Sequence, residues 1–131
     1  MLYLSILHYE RPSCVNLDFY MKRNERLDLL QGTLDMMVPQ TLLSGKGNGY
    51  EIAKSIGRLS DDILNVDHGS LYPALHRLEE AGWIAGAWEL SSTNRRARFY
   101  RLTAAGRKRL VRERSKWQQM VSAVTRVMRI A

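Results

Sequence analysis

The chain has 131 residues, 45% of them apolar, which is enough for one domain around one modest core. No run approaches the ~18 consecutive apolar residues of a membrane span, and a single cysteine, Cys14, excludes an internal disulfide and fits a reducing cytoplasm. The net charge of +7 is unevenly placed: residues 1–90 hold 8 Lys/Arg against 12 Asp/Glu, and residues 91–131 hold 12 against 1. Such a basic C-terminal third suits a polyanion partner, or else it is a solvated basic helix.

Residues 1–23 match no periodic template. The opening MLYLSILHYERPSC lacks the basic start and cleavage site of a signal peptide, and Met21 would itself be a natural start. Residues 1–20 therefore read as a dispensable extension, with a packed N-terminal arm as the alternative. LLQGTLDMMVPQTLLSG follows as a first helix, with Leu34, Met37, Val38, Thr41 and Leu42 at helical spacing and Thr33 as N-cap. Pro39 is its oddity and should kink the helix or shift its start. KGNGY is a turn, YEIAKSIGRL a short second helix burying Ile52, Ala53 and Ile56, and Asp61, Asp62 and Asn65 a loop.

GSLYPALHRLEEAGWI carries a third helix. Leu71, Leu75, Leu78 and the neighbouring Gly82 advance by four, three and four, one face of an α-helix. Pro73 belongs to the first turn, where its missing N–H costs nothing, under either Ser70 or Asp67 as cap. The period then changes to two. WIAGAWEL sets Ile84, Trp88 and Leu90 on one face, ARFYRL alternates Phe99 and Arg101 with Tyr100 and Leu102, and the polar SSTNRR joins the two strands into a hairpin. From Thr103 onward one long helix runs without internal proline. Its residues Leu110, Trp117, Val121, Val124 and Met128 advance by seven, four, three and four, a seam that needs a partner.

Three helices, a hairpin and a long helix make a mainly α fold with a small β-hairpin (α+β): a winged helix-turn-helix plus a C-terminal helix. The expected units are an extension (1–23), a winged domain (24–103) and the last helix (104–131). The segments LLQGTLD, GYEIAKSI, GSLYPALHRLEEAGWI and NRRARFYRLTAAGRKRL together resemble the PadR family of bacterial transcription regulators, over about Leu29 to Ile130. The closing W…VSAVTRVM helix is similar to the short PadR subgroup, in which a single C-terminal helix dimerises. Pro39 departs from the family pattern, which usually has an aliphatic residue there.

The resemblance implies a cytoplasmic homodimer that binds double-stranded operator DNA, as a repressor. A recognition helix presents its N-terminal end to the major groove, which explains why Ser70, Tyr72 and Pro73 precede the apolar stripe. His76 and Arg77 follow on the exposed side. Glu79 and Glu80 make this helix a poor source of electrostatic affinity, so that should come from the wing: Arg95, Arg96, Arg98 and Arg101. Arg107, Lys108, Arg109 and Arg112 add a basic start to the last helix. Leu110, Trp117, Val121, Val124 and Met128 would form the dimer interface. Some family members take planar aromatic compounds beside a tryptophan there, so Trp117 is either core or the wall of a small-effector site. The other reading is a winged module that binds an acidic protein. Catalysis finds no support. His8, His68 and His76 lack metal-site spacing, no phosphate loop follows a strand, and no cofactor is expected.

Overall fold

The computed structural model describes residues 25–129, with side chains from Thr33 onward. The expected extension at 1–23 lies outside the described residues. In chain order the elements are α1 (Glu25–Thr41), a 3-10 turn (Leu42–Ser44), β1 (Gly47–Asn48), α2 (Gly49–Leu59), α3 (His68–Glu80), β2 (Ile84–Leu90), β3 (Arg96–Leu102) and α4 (Ala104–Met128).

The fold is the expected winged helix-turn-helix with three local corrections. Helix α1 begins at Glu25 and not at a Thr33 cap, because the good helix formers of ERLDLL extend it N-terminally. Pro39 falls in its last turn, and the chain passes at once into the 3-10 turn. The hairpin is also not alone. KGNGY contributes β1, whose Gly47 and Asn48 pair antiparallel with Tyr100 and Phe99, giving a three-stranded sheet in the order β1-β3-β2.

One cluster holds the body together: Leu34, Val38 and Leu42 from α1 and its turn, Ile52 and Ile56 from α2, Leu71, Ala74, Leu75 and Leu78 from α3, and Ile84 and Tyr100 from the sheet. Each large side chain removed from water contributes on the order of 1.5–3 kcal/mol. Helix α3 ends where its stripe ends. Gly82 is not part of that stripe. It stands at φ +81° and donates to Glu79 O (3.0 Å), while Trp83 donates to Leu78 O (3.0 Å). This paired closure needs a left-handed residue, which glycine supplies without strain.

The wing leaves the core gradually. β2 and β3 pair in register from Ile84↔Leu102 to Leu90↔Arg96. Ile84 is buried at the base, but Trp88 and Leu90 on the same face are exposed because the hairpin outruns the core. Asn94 closes the tip at φ 65°, with its N–H on Ser91 O at 2.9 Å. Helix α4 starts from the Thr103 cap, whose hydroxyl accepts from Gly106 N (3.0 Å) and donates to Gly82 O (2.7 Å). It packs on α1, and among the described residues its buried positions, Gly106 and Leu110, lie in its first turns.

Candidate nucleic-acid interface

Helix α3 turns its apolar face inward and leaves its N-terminal end open. Asp67 is the cap: its carboxylate accepts from Ser70 N at 3.0 Å, so the Ser70 hydroxyl has no capping duty. Pro73 and His76 are exposed, and His76 stands 3.5 Å from Glu80. Tyr72 is 49% exposed and stacks on His68 with the ring centroids 5.5 Å apart. Its hydroxyl lies against Gly49, where an added Cβ would come within 3.0 Å. Helix α2 is fixed there by a reciprocal cap, Asn48 Oδ1 accepting from Glu51 N (2.9 Å) and Glu51 Oε1 from Asn48 N (3.1 Å).

Between α3 and the wing runs a groove of about 310 Å³, walled by Tyr50, Tyr72, Trp88, Tyr100, Arg96 and Arg98 among others. Trp88 is 57% exposed, with the Arg96 and Arg98 guanidinium carbons 5.7 and 5.9 Å from its ring centroid. Burial pushes the Tyr100 hydroxyl above its ordinary pKa, with Glu79 adding to the shift and Arg98 opposing it.

The cations divide into two sets. Arg77 donates to Asp35 at 2.8 and 3.4 Å, and this hydrogen bond raises its pKa. Arg98 crosses the hairpin over Gly86 to pair with Glu79 of α3, which likewise raises its pKa. Arg101 lies 3.4 Å from Glu89, which also holds Lys46. Arg95 and Arg96, at the wing tip, have no carboxylate partner among the described residues. Arg107, Lys108 and Arg112 are exposed on α4, whereas Arg109 is turned inward, its side chain 17% exposed.

A family model matches residues 40–112, more than half of the chain, and it describes the PadR-like family of transcriptional regulators. The chain belongs to the PadR family. It is therefore a DNA-binding transcriptional regulator and not an enzyme. A solved transcriptional regulator from Clostridium thermocellum is 27% identical, with a TM-score of 0.71 over 78% of this chain and 99% of that one. A PadR-family regulator from Eggerthella lenta is 26% identical, with a TM-score of 0.68 over 91% and 100%. An uncharacterized protein of Lysinibacillus sphaericus is 25% identical over 95 residues, 72% of this chain and 87% of its own.

Within this PadR chain, one residue assigned to the α4 seam is misplaced. Leu110 is 3% exposed inside the chain itself, because the first turns of α4 close on α1, so it is core and not a free contact. Trp117 (45% exposed), Val121, Val124 and Met128 do form an exposed stripe, joined by Met120 and Val127. No helix of the described residues is long and apolar enough to cross a membrane.

The sequence reading missed Tyr50 and Trp88, which share the groove with Tyr72. The cross-strand register that sets Trp88 opposite Arg98 is the signal that points to Trp88.

Proposed function

We propose that this PadR regulator binds operator DNA as a homodimeric repressor. The N-terminal end of α3 enters the major groove, offering Ser70, Tyr72, Pro73 and His76 to base edges and the near backbone. Arg95 and Arg96 lie on phosphates or in the minor groove beside it, and Tyr50 and Trp88 flank the strand that runs between the two. Arg77, Arg98 and Arg101, which are already paired with carboxylates, hold α3 and the wing in place and supply little phosphate affinity.

The observation that carries this reading is the pair of wing-tip arginines without a carboxylate partner among the described residues, across one groove from the open end of α3. Dimerisation rests on the exposed stripe of Trp117, Val121, Val124 and Met128, which a lone chain would leave in water. Any planar aromatic effector would lie against Trp117 in that interface.

Binding of promoter and random DNA, measured by fluorescence anisotropy at several salt concentrations, tests the reading. Replacing Arg95 and Arg96 with Ala should weaken both DNAs alike. It should also flatten the log-affinity against log-salt slope by about 2 for each subunit bound. A double variant that keeps its full salt slope would place the phosphate contacts elsewhere. A wild-type protein that prefers an acidic protein to any DNA would favour the interaction-module reading.

A further inference from the structure

Pro39 has no part in the DNA-reading surface, yet it leaves a mark on the fold. Lying in the last turn of α1, it has no N–H for the carbonyl four residues back, that of Asp35. Arg109 of α4 fills that gap, its Nη1 donating to Asp35 O at 3.4 Å. The same guanidinium lies 3.7 Å from the centroid of the Trp83 ring, at the joint between α3 and β2, and 3.9 Å from Glu113 one turn further on. The Asp35 carboxylate meanwhile grips Arg77 of α3. One residue of α1 thus holds α3 by its side chain and α4 by its main chain.

We propose that Arg109 is a positioning residue for DNA recognition. By occupying the carbonyl that Pro39 leaves open and stacking on Trp83, it sets the angle at which α4 leaves the body. In the homodimer proposed above, on which this inference rests, that angle sets the separation of the two α3 helices.

The lever is long. Met128 lies about 28 Å along the axis from Arg109 at 1.5 Å per residue, so a tilt of about 10° moves that end by about 5 Å. One base-pair step is about 3.4 Å, so a small change at the joint is enough to alter which half-site spacing fits. Lysine would not substitute, since it lacks the planar face that lies on Trp83.

The test is selection from a random duplex library, using the full chain, with wild type, Arg109→Met and Arg109→Lys. Wild type should enrich paired half-sites at one spacing. Both variants should enrich the same half-site with the spacing spread over several base pairs. Both should bind the wild-type operator about 10-fold more weakly, and random DNA within about twofold of wild type.

Thermal unfolding of a double-mutant cycle with Pro39→Ala supplies a second reading. An alanine at that position brings its own N–H to the Asp35 carbonyl. Arg109→Met should therefore lower Tm by about 5 °C in wild type and by about half that in the Pro39→Ala background. If Arg109→Met does not fold, Pro39→Ala/Arg109→Met goes through the same selection in its place. A single retained spacing, or Tm losses that simply add, would overturn the role of Arg109 alone. Failure of wild type to enrich paired half-sites would instead overturn the dimeric reading, and this inference with it.

Discussion

Gly106 sits where α4 crosses the end of α3, and a Cβ there would lie 2.0 Å from the carbonyl oxygen of Trp83. Backbone cannot retreat from such a contact without breaking the Thr103 N–Trp83 O bond (3.2 Å) that starts α4. Gly106→Ala should therefore cost about 3 kcal/mol, the upper end of the overpacking range, in urea unfolding. A loss below about 1 kcal/mol would mean that α4 can shift freely, which would also weaken the case for a fixed joint at Arg109. At this scale, spacing within one element reports the buried stripe of α3 but not the partners of charged residues. Leu71, Leu75 and Leu78 announce their burial by spacing alone. Nothing local announces that Arg77 faces Asp35, 42 positions away, or that Arg98 faces Glu79, 19 positions away. Such pairs form when elements pack, and periodicity within one element does not report them.

At the level of elements, long periodic segments were legible and short ones were not. α2, α3, β2, β3 and α4 lie where alternation and helical spacing put them, but β1 is two residues long and too short to alternate. Its position is fixed by pairing with β3, a tertiary event. The start of α3 shows how a local rule with two solutions is resolved. Asp67 and Ser70 both suit a cap, and the structure uses Asp67, which frees Ser70 for the surface. The two roles separate by mutation. Asp67→Ala should cost about 1 kcal/mol of stability in urea unfolding. Ser70→Ala should change stability by less than about 0.5 kcal/mol, while cutting the preference for operator over random DNA by about 1–3 kcal/mol if a base contact is lost. The reverse pattern, with Ser70 essential for stability and neutral for discrimination, would remove Ser70 from the proposed interface.

For the whole molecule, the deciding feature is that, among the described residues, α4 is anchored only at its start. Gly106, Arg109 and Leu110 tie it to the body, and beyond Glu113 it is exposed on every side. An isolated stretch of about four turns is marginal in water, and here it also exposes Trp117, Met120, Val121, Val124, Val127 and Met128. Pairing two such stripes would bury them together and would also bring two wings and two α3 helices onto one duplex, doubling the contacts that each subunit makes. Val121 and Val124 lie three residues apart, on one side of the helix. Replacing both with Glu sets four carboxylates into the paired interface while leaving the chain's own core untouched. The variant should sediment as a monomer, keep the circular dichroism of the winged domain, and lose the α-helical signal of its frayed last turns. Its operator affinity should fall by at least about 100-fold, because each subunit must then bind alone. Leu110→Ala makes the useful contrast: it opens a cavity within the chain, so it should cost about 2–5 kcal/mol of stability without dissociating a dimer that stays folded. If Val121→Glu/Val124→Glu remains dimeric in sedimentation, the subunits meet through a surface other than α4, and the lever at Arg109 has nothing to move.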